Sequence, residues 1–393
     1  MDLGVAAMPR VTDTALSAHK MPQLDALRAF AALSVLFAHF VWYPPRWLTI
    51  VPWAACGVLL FFVLSGFLIT GILLDGRKQV EAGVSRLWML RQFYIRRFLR
   101  IFPLYYAVIL AGRIAQWPGF TKTFGWNLAY LTNFYIISKA GWIGAASYLW
   151  TLSVEEQFYL VWPWIILFLP KRWLLPTFVS VVIFAIVYRV ITIGWFGPWL
   201  NLAPFGSLDC FGSGALLALA QRREKDGKPQ LRRTVCTIGL WLGAPLLILA
   251  LALAWRFPLQ PDQQAWNLMS LALTLLFTPL ISRAAHGFTG VIGFLLTRRP
   301  ILYVGRISYG IYIYHLPVQW MITSKASKWL NGLPWFIPSS LVLLVATVVL
   351  AAFSWHLFES PINRLKRLFP YRATRPDPRV EMHLRAAMRE QDS

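Results

Sequence analysis

The sequence predicts an all-α, polytopic membrane bundle of about ten transmembrane helices plus one short re-entrant or interfacial element. Three observations predict it. Apolar runs near ~20 residues, the length that crosses a bilayer, recur through a 393-residue chain that is 58% hydrophobic. Aromatic residues are abundant, with Trp 20, Tyr 14 and Phe 27, as at the two interfaces of a membrane. The net charge of +22 is gathered into a few short segments, which is how cytoplasmic loops are marked. In a water-soluble chain that charge would point to nucleic acid. Here no nucleic-acid partner is expected, and the partner is membrane lipid.

The expected crossings run 24–43, 53–74, 98–116, 148–169, 173–196, 205–220, 235–255, 266–282, 301–323 and 335–358. Basic residues crowd after the second run (Arg77, Lys78, Arg86, Arg91, Arg96, Arg97) and after the sixth (Arg222, Arg223, Lys225, Lys228, Arg232, Arg233). Arg283, Arg298 and Arg299 mark a third cluster, and Arg364, Lys366 and Arg367 a fourth. With all four clusters inside, the chain crosses an even number of times between the first two. The run 124–137 is short and broken by Asn127, Thr132 and Asn133, so it is the stretch expected to stay on the outer side. The domain reading is a cytoplasmic tail at 1–22, a membrane domain at 23–363 and a cytoplasmic tail at 364–393. The first run lacks a small-residue cleavage site and is expected to remain as a signal anchor. Cys56, Cys210 and Cys236 show no CxxC or Cys/His spacing, so neither a metal site nor a disulfide framework is expected.

Chemistry concentrates in residues that lipid disfavours. Arg28 and His39 lie eleven residues apart in one apolar run. Eleven steps of about 100° return to within about 20° of the same face, about 16 Å along the axis. Ionisable groups at such positions are costly and usually functional. Arg97 and Arg100, at i and i+3, share a helix face. With Arg28 they form an inner, cytoplasmic-side group, and clustered guanidiniums suit phosphates. His39, Ser153, Glu155, Glu156, Asp209 and His315 are expected nearer the outer face. Neutral imidazole is the form that acts as a general base, and a carboxylate beside it, Glu155 by shared depth, would fix its tautomer. Two structural readings compete: arginines at helix ends that snorkel to the interface, and a histidine that satisfies an internal hydrogen bond. A second function class also fits, a proton-coupled secondary transporter with a His/Glu relay; no internal repeat accompanies it. Ser65, in FFVLSGF, reads as a small packing residue.

The motifs together resemble the membrane acyltransferase 3 family. They are LDALRAFAALSVLFAHF at 24–40, GVLLFFVLSGFLI at 57–69, YIRRFLRIFPLYY at 94–106, LWTLSVEEQFYLVWP at 149–163, ISYGIYIYHLPV at 307–318 and ESPINRL at 359–365. The resemblance implies O-acylation of a carbohydrate, lipid-linked glycan or small glycosylated acceptor at the bacterial plasma (inner) membrane. It implies cytosolic acyl-CoA, acetyl-CoA in the commonest form, as donor. His39 is then the essential acid/base residue and Arg28 its motif partner, while Arg97 and Arg100 hold the donor. Glu155, Tyr309 and His315 match recurring family positions. Leu59 departs from the pattern, which places Asp there.

Overall fold

The computed structural model describes residues 21–41, 45, 50–196, 198–256, 263–325 and 338–371. Residues 1–20 and 372–393 of the expected tails lie outside these residues, as do 42–43 of the first expected crossing and 335–337 of the tenth. All regular structure among the described residues is helical. The helices are α1 (Pro22–Phe40), α2 (Trp53–Glu81), α3 (Arg86–Ile114), α4 (Phe124–Leu128), α5 (Thr132–Lys139), α6 (Leu149–Phe168), α7 (Lys171–Phe196) and α8 (Leu208–Lys225). They continue as α9 (Gln230–Arg256), α10 (Gln263–His286), α11 (Gly290–Leu296), α12 (Arg299–Arg306), α13 (Ser308–Lys325) and α14 (Ser339–Ser354).

Five helices among the described residues are long and apolar enough to cross a bilayer: α2, α9, the stretch of α7 to Thr192, the stretch of α10 from Asn267, and Ser339–Leu368, which continues α14. The chain is a multi-pass membrane protein. Burial separates their roles. Of the most apolar window, 67% is buried in α2 against 17% in α9. Thus α2 is the central rod, while α9 turns Trp241 and Ile248 outward. Glycine lets α2 and α8 touch backbone to backbone. A Cβ on Gly66 would strike the Phe211 carbonyl, and one on Gly214 would strike the backbone of Val63 and Phe67. Small residues at such crossings give the close packing that drives helix association in lipid.

Three features stand out against expectation. The basic cluster after the second run is helix, not loop. α2 continues through Arg77 and Lys78, and α3 begins at Arg86, where the Ser85 hydroxyl caps the Trp88 amide. At 29 residues, α3 is about 43 Å long, and Arg100 sits at its midpoint. The span expected at 301–323 breaks at Ile307 into α12 and α13. Gly305 lets α12 lie against α1, because a Cβ there would meet the backbone of Asp25. Arg96 of that basic cluster donates to the carbonyls of Lys366 (2.8 Å) and Phe369 (2.9 Å) and stacks on Tyr371. It ties the chain after α14 to α3.

The short run near 124–137 forms α4 and α5, which fold back along α3. Tyr105 and Tyr106 donate to the carbonyls of Asn127 and Leu128. The elbow residue Tyr130 has φ +55°, a left-handed conformation uncommon for a bulky side chain. It is held by a stack on Tyr105 with centroids 4.1 Å apart and by Gln157 Nε2, which donates to its carbonyl at 2.8 Å. Tyr130 also meets the Phe102 ring, about 18 Å before the end of α3.

Candidate active site

The expected donor-binding residues converge. Arg28 from α1 and Arg97 and Arg100 from α3 line one cavity of ≈ 190 Å³ with Ser65, Glu155, Tyr159, Tyr309 and Tyr312. Arg28 is oriented by Asp25 one turn before it, Nη1 to Oδ1 2.7 Å. The Arg97 guanidinium lies 4.2 Å from the Tyr159 ring centroid, and its Nε is buried without a hydrogen-bond partner among the described residues. Tyr309 belongs to the same wall; its hydroxyl donates to the Ile101 carbonyl at 2.8 Å and fastens α13 to α3.

Glu155 is found here, not beside His39. Its carboxylate accepts from Ser65 Oγ at 2.7 Å, and Tyr159 donates to the same serine at 2.9 Å. Arg97 and Arg100 supply the opposing charge. The expected Glu155–His39 pairing is absent, and the cause is the register of α3. Because Arg97 and Arg100 lie along its middle rather than at its start, the guanidiniums stand level with the second turn of α6. A carboxylate there finds two cations and a hydroxyl, whereas His39 offers neither. Ser65, read as a packing residue, is the hydroxyl that joins Glu155 to Tyr159. Its sequence gives one clue: it precedes Gly66, whose close contact with α8 fixes the serine's position. Ser153 does not reach the cavity. It is fully buried and donates to the Leu149 carbonyl of its own helix at 3.0 Å.

His39 pairs with His315. The rings meet edge to face with centroids 5.0 Å apart. His39 Nδ1 lies 2.8 Å from the Val35 carbonyl, and His315 Nδ1 is bonded to the Tyr312 carbonyl. A carbonyl only accepts, so both rings carry hydrogen on Nδ1, which leaves the Nε2 lone pairs free in the neutral form. His315 Nε2 is buried without a partner among the described residues. His315 packs on Tyr148 and Tyr312. Tyr312 is therefore a shared wall: it lines the arginine cavity and also meets the His315 ring, behind which His39 lies. Its hydroxyl is bonded to Thr151, and its ring meets Phe61 at 6.1 Å. Sequence reading named neither Tyr312 nor Thr151, although Tyr312 lies inside the ISYGIYIYHLPV motif.

Three consecutive residues of α6 serve two compartments. Glu155 faces the arginine cavity, while Glu156 and Gln157 line the outer side of Arg97, where Gln157 also holds the α4–α5 elbow. Successive residues on a helix point about 100° apart, so one turn joins all three.

Among the described residues the helical bundle gathers three guanidiniums around one cavity, with an imidazole pair behind the Tyr312 ring. The chain belongs to the acyltransferase 3 family, whose model, described as an acyltransferase domain, matches residues 21–355. Nodulation protein 10 of Rhizobium leguminosarum bv. viciae is 29% identical over 381 residues, covering 87% of this chain and 93% of that protein. The peptidoglycan O-acetyltransferase OatA of Listeria monocytogenes is 27% identical, covering 89% of this chain and 57% of its own length. The putative peptidoglycan O-acetyltransferase YrhL of Bacillus subtilis is 26% identical, over 87% of this chain and 55% of YrhL. This chain thus spans a little over half the length of those two relatives. No solved structure matches it.

Proposed function

We propose that this protein is an O-acyltransferase that carries an acyl group, acetyl in the first instance, from cytosolic acyl-CoA to a hydroxyl of a carbohydrate acceptor. The single observation that carries this reading is the shared wall at Tyr312, which sets an arginine-lined cavity against an imidazole pair. Family membership favours a transferase over the proton-coupled transporter, and two relatives bear O-acetyltransferase names. Arg28, Arg97 and Arg100 suit the phosphates of CoA, since guanidinium–phosphate bonds are strong and directional. The unpartnered Arg97 Nε is a donor in want of an anion. Glu155 limits the positive charge of the cavity and orders Ser65 and Tyr159.

In the reaction, the acceptor hydroxyl gives its proton to His39 Nε2 as its oxygen forms a bond to the thioester carbonyl carbon. The tetrahedral intermediate collapses, the carbon–sulfur bond breaks, and the imidazolium returns the proton to the departing thiolate. His315 holds the His39 ring and buffers its charge. The membrane arrangement that suits this chemistry is ten crossings in a bacterial plasma membrane, with both termini and the donor on the cytoplasmic side.

The test uses purified protein in lipid nanodiscs with radiolabelled acetyl-CoA and peptidoglycan or polysaccharide fragments. Label should enter the glycan as an alkali-labile ester and vanish with His39→Ala. No label in any glycan, together with pH-gradient-driven solute uptake in liposomes, would return the transporter reading.

A further inference from the structure

A separate cavity, ≈ 500 Å³, lies between α9 and α10 and shares no lining residue with the arginine cavity. Each helix gives it one stripe. On α9, Arg232, Cys236 and Leu240 follow at i, i+4 and i+8; on α10, Leu276, Leu280 and Arg283 follow at i, i+4 and i+7. Residues at such spacings share a helix face. Arg232 is near the start of α9 and Arg283 near the end of α10, so both stripes carry their arginine at the same end of the helix pair. From there each continues apolar for about 10–12 Å. Leu240 is 52% exposed, so the far end of this trough meets the hydrocarbon of the bilayer. A groove of similar size, ≈ 550 Å³, between α1 and α14 makes the contrast. No charged residue lines it, and its Ser34 hydroxyl already donates to the Phe30 carbonyl.

The arginine end carries open polar groups on a fixed floor. Ser282 lines it, is 3% exposed, and has no hydrogen-bond partner for its Oγ among the described residues; buried hydroxyls ordinarily find one. Arg283 lies over the Phe288 ring, 5.8 Å from its centroid. Phe288 is clamped by Gln23 of α1, which accepts from its amide at 2.6 Å and donates to its carbonyl at 3.0 Å. Arg232 turns Nε to Glu224 at 2.7 Å, and Glu224 also meets His286 Nε2 at 3.0 Å. The terminal nitrogens of the Arg232 guanidinium remain as donors. Two guanidiniums against one carboxylate leave positive charge in excess, and His286 adds to it whenever protonated.

Donors at one end and an apolar trough along both helices describe a head and a tail. We propose that this site holds an anionic phospholipid, with its phosphodiester on Arg232, Arg283 and the Ser282 hydroxyl and one acyl chain along Leu240 and Leu276. Charge selects the head. A phosphatidylglycerol head brings one net negative charge, whereas phosphocholine and phosphoethanolamine heads bring an ammonium beside two guanidiniums. The trough selects a lipid over a free phosphate. This site lies apart from acyl transfer, and its occupancy does not depend on that reading.

The experiment is native mass spectrometry of the full chain, delipidated in detergent and offered equal amounts of phosphatidylglycerol, phosphatidylethanolamine and phosphatidylcholine with the same acyl chains. Phosphatidylglycerol should be retained about five-fold or more over either of the others. Ser282→Ala should lower its retention several-fold, and Ser282→Ala with Arg283→Gln by about ten-fold or more. Glu224→Gln, which removes the carboxylate that competes with the phosphate, should raise it. Millimolar inorganic phosphate or glycerol 3-phosphate should not displace the lipid. Equal retention of the three heads means a trough filled by bulk lipid and overturns the proposal. Retention that Ser282→Ala and Glu224→Gln both leave unchanged overturns it as well, and these two changes are small enough to spare the fold. Displacement by millimolar phosphate would make this an anion site without a lipid and equally end the proposal.

Discussion

The arginine cavity and the imidazole pair share one wall yet handle buried polarity in opposite ways. In the cavity two of the four charges are answered across helices: Ser65 in α2 donates to Glu155 in α6, and Arg97 in α3 stacks on Tyr159 in α6. Around the histidines the bonds are local. Each Nδ1 is satisfied by a carbonyl three or four residues back on the same helix, and His315 Nε2 is buried without a partner among the described residues. A network tied across three helices holds its shape and suits binding. Two imidazoles oriented by their own helices, with lone pairs left open, suit proton transfer.

Breaking the imidazole side should have the larger effect. His39→Ala should lower acyl transfer by about 10²–10⁴, the span of general base catalysis, while donor affinity, read by calorimetry, stays near that of the parent. A comparable loss of donor binding would merge the two regions into one. His315→Gln comes next. If His315 only positions His39, the turnover rate should fall by about ten-fold or less with the donor KM unchanged, because an edge-to-face ring contact is worth about 0.5–1.5 kcal/mol. A loss as large as that of His39→Ala would make the pair a single acid/base unit.

On the cavity side, Arg97→Ala with Arg100→Ala should weaken donor binding by about ten-fold or more, since each charge-assisted bond is worth about 1.5–3 kcal/mol. The gap between parent and variant should narrow as salt rises, because screening removes what the mutation has already removed. A gap that salt leaves unchanged would refute the phosphate assignment. The smallest effect lies outside both regions, where Glu224 bonds Arg232 at 2.7 Å and His286 at 3.0 Å. Burial raises its carboxyl pKa, but Arg232 and His286 outweigh burial and hold it below the usual range. A depressed carboxyl pKa stabilises the fold above the ordinary value, about 4.3, and that contribution is lost as pH falls through the folded value. Glu224→Gln should therefore lower the thermal midpoint slightly at pH 7, the effect of an ion pair worth about 1 kcal/mol or less. The difference should shrink as pH falls below about 4; one that grows on acidification would reverse the assignment.

The sequence by itself determined what depends on neighbours within a few turns. The helical class, the fragmentation of the stretch near 124–137, and the placing of Arg28 and His39 on one stripe all follow from hydropathy and from 3.6 residues per turn. Arg97 and Arg100 also face one cavity, as their spacing required. Which helix faces which was decided only by tertiary structure. Ser65 and Glu155 are 90 residues apart, and His39 and His315 still further. Nothing in the local pattern of α6 says that Glu155 looks inward to arginines while Glu156 looks outward to an apolar groove. Helix ends mattered as well. Basic residues crowded before an apolar run read as loop, because charge disfavours lipid. α3 keeps them helical, as backbone hydrogen bonding within the membrane and at its edge favours, and that extension shifts its arginines to the level of Glu155.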